Sequence, residues 1–108
     1  MNISIVISSY NGSSHIIEQL DSIRNQTRTP DEVLICDDCS TDSTPEMVNK
    51  YIKIHSLNNW RIVINQENKG WQRNFIDGIE KSTGDLIFTC DQDDVWRTDK
   101  LEIMENIM

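Results

Sequence analysis

Two stretches of this chain, VLICDDCSTD at residues 33–42 and LIFTCDQDD at residues 86–94, decide its fold. Each begins with a short run of β-branched and apolar residues and leads directly into a cluster of aspartates. Such runs are typical of buried strands. If the two are neighbouring parallel strands, both clusters lie at one edge of the sheet, where like charges about 5 Å apart repel by roughly 3 kcal/mol. A divalent cation and a ligand rich in hydrogen-bond donors would relieve that repulsion.

Strand and helix patterns alternate along the rest of the chain. We predict strands at residues 3–8, 32–36, 61–65 and 85–90, with helices starting after Ser13 or Ser14, after Ser43, at Lys69-Gly70, and at Thr98 or Asp99. This alternation predicts an α/β domain with a mostly parallel sheet and helices on both faces. The last helix pattern is amphipathic and its apolar stripe has no partner in the chain, which predicts a truncated domain.

Several local features refine these helices. Ser43 and Glu46 have the spacing of a capping box. Gly84 is placed to take a left-handed cap after the third helix. We expect that helix to bury one apolar face, and we interpret Trp71 and Phe75 as core residues rather than as a stacking surface. The expected face consists of Trp71, Phe75, Ile76 and Ile79.

Composition restricts the possible functions. The chain has 108 residues, enough for one domain, and a net charge of −8 that excludes a nucleic-acid binder, which needs a basic face. No apolar run approaches the length of a membrane span, and no secretory signal precedes the first strand. We therefore expect a cytoplasmic protein. Its three cysteines are expected to be free thiols, and Cys36 and Cys90 to be buried strand residues rather than redox or zinc ligands.

The aspartates are the candidate binding residues. In open α/β sheets, ligands bind beyond the carboxyl ends of the strands. The chain lacks the glycine motifs that cradle phosphates, so a bound nucleotide would need a metal to neutralise its phosphates. Hard oxygen ligands at Asp91, Asp93 and Asp94 suit Mg²⁺ or Mn²⁺. Asp37 and Asp38 could accept hydrogen bonds from a base N–H or from ribose hydroxyls.

Each of these interpretations has a structural alternative. Aspartate favours turns and helix N-termini, which could account for Asp37, Asp42 and Asp99. Trp96 could line the pocket, although packing is the favoured interpretation. Lys69 and Arg73 could meet a phosphate or form a solvated surface.

The motifs together resemble a known family. SIVISSYNG at residues 4–12, DDCSTD at 37–42, NKG at 68–70, TGD at 83–85 and DQDD at 91–94 are similar, in order and spacing, to the family 2 glycosyltransferases. The resemblance covers essentially the whole chain and implies a GT-A fold, a nucleotide-diphospho-sugar donor, a divalent cation and inverting transfer. It also implies a glycan or lipid-linked acceptor in bacterial polysaccharide or cell-envelope biosynthesis. The variant DQDDVW at residues 91–96 points to rhamnosyl-transferring members.

The resemblance assigns roles to individual residues. It implies that Ser8 and Tyr10 lie beside the nucleobase and that Asp38 accepts the imino N–H of the base. It implies that Asp91 contacts ribose or metal. Asp93 is the first choice as metal ligand and Asp94 the second, because the D-x-D motif of the family can be overlaid in two registers. Many members carry Ala-Arg-Asn where this chain has Asn74-Phe75-Ile76, so a donor contact by that arginine is not expected here unless Arg73 replaces it.

The catalytic base of the family is expected beyond Met108, in an acceptor half that this sequence does not contain. We therefore expect residues 1–108 to be the donor-binding part, inactive alone, and membrane association of the full-length protein stays open. Two alternatives remain at this point: a receiver-like signalling module that binds Mg²⁺, and a non-catalytic scaffold that binds nucleotide sugars.

Overall fold

The computed structural model describes residues 1–91 and 94–107 as a layered α/β domain. None of the helices in these residues is long and apolar enough to cross a membrane. Strands and helices alternate as predicted. They are β1 (Ile3–Ser9), α1 (Ile16–Arg24), β2 (Glu32–Asp37), α2 (Thr44–Ile54), β3 (Trp60–Ile64), α3 (Trp71–Lys81), β4 (Leu86–Cys90) and α4 (Lys100–Ile107).

The strands form one parallel sheet in the order β3-β2-β1-β4. β1 lies in the middle, where Ile7 pairs with Ile35 of β2 on one side and with Cys90 of β4 on the other. The prediction that β2 and β4 are neighbours was therefore wrong, although both end at the same edge. Two strand spacings, roughly 9–10 Å, separate their ends, so the direct repulsion between the two aspartate clusters is weaker than we estimated.

The two faces of the sheet carry different cores. Helices α1, α2 and α4 cover one face, and most of the largest fully buried side chains pack there, including Ile5, Ile7 and Leu20. Helix α3 covers the other face, over β1 and β2. Its core is small and consists of Val6, Leu34, Cys36 and Phe75, with Val63 at its margin.

The buried face of α3 differs from the predicted one. Asn74, Phe75 and Gly78 are buried against the sheet, whereas Trp71, Ile76 and Ile79 are exposed. Helix α3 lies very close to the sheet at Gly78. A Cβ atom at this position would be 2.5 Å from Val6 Cγ1 and 2.8 Å from Cys36 Sγ. The absence of a side chain there lets α3 approach the sheet closely enough to bury an asparagine.

Three predicted helix caps do not form. His15, and not Ser13 or Ser14, precedes α1, and Ser43 precedes α2 without a capping hydrogen bond from its side chain. Helix α3 ends at Lys81, the following Ser82 is extended, and Gly84 has no left-handed backbone. A side chain at Gly84 would instead collide with the backbone and hydroxyl of Ser4. At Gly84 a contact with the sheet, which local sequence does not show, therefore replaces the predicted cap.

The close approach at Gly78 leads to a stability prediction. Replacing Gly78 with alanine should lower the free energy of unfolding by about 1–2 kcal/mol, because overpacking against Val6 and Cys36 exceeds the gain of roughly 1 kcal/mol in helix propensity. Urea titration followed by circular dichroism measures the change. Glu80→Ala, on the exposed side of the same helix, is the control and should be neutral or slightly stabilising. A Gly78→Ala variant as stable as the wild type would show that α3 can move away from the sheet at no cost.

Candidate functional site

The candidate site lies at the carboxyl edge of the sheet, where the strand order reverses. The chain passes from β1 to β2 and β3 on one side and then returns to the other side of β1 to form β4. Ligands of open α/β sheets bind at such a switch point. Tyr10, which follows β1 and is 44% exposed, and the exposed Asp91, which follows β4, flank this point.

Asp37 holds the first acidic loop together. Its side chain is fully buried, and its carboxylate accepts hydrogen bonds from the hydroxyls of Ser9 (2.9 Å) and Ser40 (2.7 Å) and from the backbone N–H of Ser40 (2.9 Å). These bonds fit the structural alternative, and the predicted contact of Asp37 with a nucleotide stays a prediction. The residue joins the end of β1 to the loop after β2.

Asp38 is the centre of the site's hydrogen bonds. Its Oδ1 accepts from Asn65 Nδ2 (3.0 Å) and from the N–H of Lys69 (2.8 Å), and its Oδ2 accepts from the N–H of Gly70 (2.9 Å). A carboxylate offers about four acceptor positions. Three are taken, which leaves one acceptor position on Oδ2 of a residue that is 3% exposed. The backbone N–H of Asp38 also donates to the carbonyl of Ser9 (2.8 Å), which places the carboxylate beside the end of β1.

Two buried asparagines connect Asp38 to Ser8, and sequence reasoning missed both. Asn65 Nδ2 donates to Asp38 Oδ1 and to Asn74 Oδ1 (2.9 Å). Asn74 Nδ2 donates in turn to Ser8 Oγ and to the carbonyl of Cys36, both at 2.7 Å. We call Ser8, Asn74, Asn65 and Asp38 the amide relay. An asparagine inside a helix is unfavourable by propensity, and that was the available signal that Asn74 serves another purpose.

The second acidic loop is attached to α1. The buried Gln19 donates from Nε2 to the carbonyl of Asp91 and to Cys90 Sγ (3.1 Å), which fixes the point where β4 ends. The N–H of Asp94 donates to the carbonyl of Asp91 (3.2 Å), which keeps these two exposed aspartates close together. Asp93, the first choice as metal ligand, lies outside the described residues.

The described residues do not by themselves build a complete cation site. Within residues 1–91 and 94–107, no three histidine, cysteine, aspartate or glutamate side chains gather closely enough to hold a metal ion. Asp91 and Asp94 are hard oxygen donors of the kind that Mg²⁺ and Mn²⁺ take, often with ligand phosphates completing the coordination. Their chemistry therefore fits a shared site, and the metal assignment stays a prediction.

Asp42 organises the same edge from the other side. Its carboxylate accepts from the hydroxyl (2.5 Å) and the N–H (2.9 Å) of Thr44 and from the N–H of Ser13 (3.1 Å). Partial burial acts to raise the pKa of Asp42, but these hydrogen bonds outweigh it and lower the pKa to about 2. The structure thus gives Asp42 the turn and cap function that we considered for it.

The cysteines are free thiols, as expected. Burial raises the pKa of Cys36, and burial raises that of Cys90 to about 11, so both stay neutral at physiological pH. They contribute apolar volume to the two cores. This confirms the prediction that both are buried strand residues.

Among the side chains near the site, Trp96 is packed as expected, whereas Trp71, which we expected in the core, is exposed. Trp96 is only 7% exposed and packs in the larger core, with Lys100 Nζ 4.0 Å above its ring. Trp71 is 64% exposed. Lys69 and Arg73 both pair with Asp77, at 3.0 and 3.1 Å, which supports the solvated-surface interpretation of these two cations.

The fold and this site define a class of protein: enzymes and binding domains that place a ligand at the switch point of a GT-A sheet. The model of the family described as Glycosyl transferase family 2 matches residues 4–108. The chain therefore belongs to glycosyltransferase family 2. This assignment confirms the resemblance and rules out the receiver-like alternative.

Known relatives agree with the assignment. The chain is 33% identical over 100 residues to the putative teichuronic acid biosynthesis glycosyltransferase TuaG of Bacillus subtilis, covering 93% of this chain and 39% of TuaG. The structure of Staphylococcus aureus TarS 1–349 in complex with UDP superimposes with a TM-score of 0.86 and 27% identity, covering 98% of this chain and 31% of that one. The mannosyltransferase PcManGT from Pyrobaculum calidifontis, in complex with GDP-Man and Mn²⁺, gives a TM-score of 0.85 and 28% identity over 93% of this chain and 30% of that one. The chain thus spans roughly a third of the length of these relatives.

The amide relay leads to the second prediction. Replacing Asn74 with leucine should lower the free energy of unfolding by about 1–3 kcal/mol, because Ser8, Asn65 and the carbonyl of Cys36 would each lose a buried partner. Chemical denaturation provides the measurement. Gln72→Leu makes a similar amide-to-leucine change on the exposed side of α3 and should cost less than 0.5 kcal/mol by the usual behaviour of surface substitutions. Equal losses in both variants would contradict a special role for the relay.

Asp42 gives a prediction about pH. Because its pKa is lower in the fold than the usual 3.8, its ionised carboxylate stabilises the protein above about pH 4, and this contribution is lost as the pH falls towards about 2. The difference in stability between the wild type and Asp42→Asn should therefore be constant near neutrality and shrink between pH 4 and pH 2. Urea midpoints across this range measure it, with Glu80→Gln at an exposed position as the control. A difference that does not change with pH would show that the carboxylate's charge is irrelevant.

Proposed function

We propose that this chain is the donor-binding part of an inverting, metal-dependent glycosyltransferase that uses a UDP- or dTDP-sugar. The observation that carries the proposal is the remaining acceptor position on Asp38 Oδ2, in a residue whose N–H bonds to Ser9, directly before the exposed Tyr10 at the end of β1. A nucleobase needs such a polar partner for its edge and an apolar surface for its face. Family membership and the similarity to a UDP complex of TarS support this role.

The hydrogen bonding of Asp38 favours a pyrimidine over guanine. Uracil and thymine present one imino N–H between two carbonyl groups, so one free acceptor on Oδ2 satisfies them. Guanine presents two adjacent N–H groups, which pair best with both oxygens of a carboxylate. Oδ1 already accepts from Asn65 and Lys69 and has no position left for the second donor. The GDP-Man complex of PcManGT makes guanine the natural comparison.

A divalent cation would complete the donor site near Asp91 and Asp94. The protein carries a net charge of −8, and the two cations at the start of α3 are paired with Asp77, so a diphosphate needs a counter-charge from elsewhere. When bound, the cation would stabilise the negative charge that develops on the leaving diphosphate. Asp91 and Asp94 would hold it, with the predicted contribution of Asp93, and Gln19 would keep Asp91 in place.

The protein's own residues account for donor orientation. Ser8 and Asp38 are locked together by the buried asparagines, so the base-binding edge is formed before a ligand arrives. Such preorganisation lowers the entropic cost of binding.

The general base that would deprotonate the acceptor is expected beyond Met108. By comparison with TuaG, we also propose that the acceptor is a cell-envelope glycan. The proposal further includes rhamnose as the transferred sugar and a location at the inner face of the membrane. A scaffold that binds the donor without catalysis remains the alternative.

Calorimetric titration with UDP, dTDP and GDP in the presence of Mn²⁺ tests the proposal. UDP or dTDP should bind at least about 10-fold more tightly than GDP, a difference of roughly 1.4 kcal/mol, and binding should weaken by a similar factor when the metal is chelated. Asp91→Asn and Asp94→Asn should weaken the Mn²⁺-dependent part. Asp85→Asn, an exposed aspartate at the opposite end of β4, should not.

Two outcomes would contradict the proposal. Binding of GDP as tight as that of UDP and dTDP would refute the assignment of the base. Binding that does not depend on the metal would refute the cation site and leave the base assignment standing.

A further inference from the structure

The position of Trp71 is the feature that the proposed function does not yet explain. The chain has three tryptophans; Trp60 and Trp96 are 6% and 7% exposed, whereas Trp71 is 64% exposed. Trp71 nevertheless lies on the sheet-facing stripe of α3, because it precedes the buried Asn74, Phe75 and Gly78 by three, four and seven residues. Residues at these spacings share one face of a helix. A sheet-facing tryptophan that stays exposed must lie where the sheet has ended.

Contacts one turn further along the helix show where that is. Asn74 donates to Ser8 Oγ and to the carbonyl of Cys36, next to the last residues of β1 and β2. Trp71 is three residues nearer the start of α3, about 4.5 Å along the axis. Its side chain also leans towards the N-terminus of the helix, as helical side chains do. The indole ring therefore overhangs the carboxyl edge of the sheet.

The ring does not swing freely into solvent. Its centroid lies 6.4 Å from that of Phe75, and the two planes meet at 79°, an edge-to-face arrangement. Phe75 is itself buried in the smaller core. Trp71 is thus supported on one side and open on the other, which is the arrangement of a surface prepared for a flat ligand.

Hydrogen bonds bring this surface to the base-binding edge. Asp38 Oδ2 accepts from the N–H of Gly70, the residue directly before Trp71. The N–H of Asp38 donates to Ser9, the residue directly before Tyr10. Both exposed aromatic residues therefore adjoin a group bonded to Asp38.

We propose that the indole ring of Trp71 packs against the nucleobase whose N–H is accepted by Asp38, and so forms a second aromatic wall of the donor site. The inference rests on the proposed function and extends it to a residue that determines affinity for the base. Lys69 and Arg73 beside it are paired with Asp77, so this end of α3 offers a ring rather than cations to the ligand. The competing explanation is that Trp71 belongs, with the exposed Ile76 and Ile79, to an apolar surface that another part of a longer protein covers.

Acrylamide quenching of tryptophan fluorescence tests the contact in the intact protein that carries this chain. The difference between the wild type and Trp71→Phe isolates the signal of Trp71 whatever other tryptophans are present. Adding UDP or dTDP with Mn²⁺ should protect Trp71 from quenching. Pyrophosphate with Mn²⁺, which has no base, should leave it accessible.

Affinities provide the second measurement. Trp71→Ala should weaken binding of the nucleotide by roughly 5- to 100-fold, in the range of a lost base-aromatic stack, and Trp71→Phe should weaken it less. Binding of Mn²⁺-pyrophosphate should stay within about twofold of the wild type in both variants. Ile76→Ala, which removes an exposed apolar side chain elsewhere on α3, is the matched control and should bind nucleotide normally.

The outcomes separate this inference from the proposed function. Nucleotide binding that is unchanged in Trp71→Ala, or quenching of Trp71 that is unchanged by nucleotide, would overturn the inference and leave the donor site intact. If Trp71→Ala also destabilises the fold, its loss of affinity is not informative. The affinity of Trp71→Phe and the quenching of Trp71 in the wild type then decide whether the ring contacts the base. A wild-type protein that binds neither nucleotide nor pyrophosphate would overturn both.

Discussion

The carboxylate of Asp38 is the interaction on which this structure depends. It accepts from the N–H groups of Lys69 and Gly70 just before α3, and the N–H of Asp38 is tied to β1 through the carbonyl of Ser9. Gly70 precedes the helix with a φ of 86°, a backbone conformation that residues other than glycine rarely adopt. Glycine also has no side chain that could cap the helix. A carboxylate from a neighbouring strand thus takes the place of a local cap and compensates the positive end of the helix.

This arrangement makes the face under α3 polar near the site and apolar further down. Val6, Leu34, Cys36 and Phe75 form a small apolar core, and the amide relay lies between that core and the carboxyl edge. Buried polar networks are costly when any member loses its partner, so they specify one geometry more strictly than apolar packing does. The opposite face, under three helices, has a large apolar core and supplies most of the buried hydrophobic side chains. Stability and site geometry are thereby supplied by different faces of one sheet.

Periodicity predicted the elements well because each strand and helix is a local pattern. The four strands lie within a residue or two of their predicted positions, and α/β layering follows from their alternation. The strand order did not follow, because the step from β3 to β4 crosses the sheet without any local signal; β1 therefore separates two strands expected to be neighbours. The exposure of Trp71 was missed for a related reason. Its helical spacing is that of a core residue, and only the end of the sheet, a tertiary feature, leaves it uncovered.

The site residues show the same limit. The aspartates could be found from composition and position, but not their different roles, since Asp37 and Asp42 accept from serine and threonine residues of the loops while Asp38 accepts from the N–H groups that precede α3. That difference follows from where neighbouring hydroxyl and amide groups lie after folding. It also makes the proposed anionic donor compatible with an acidic protein. The end of β2 carries a carboxylate that accepts three N–H bonds from three residues, and the end of β4, two strands away, carries aspartates that remain exposed. The proposed donor has a hydrogen-bond donor at one end and a cation-bound diphosphate at the other. It matches this arrangement because the first end would meet the loop after β2 and the second the loop after β4.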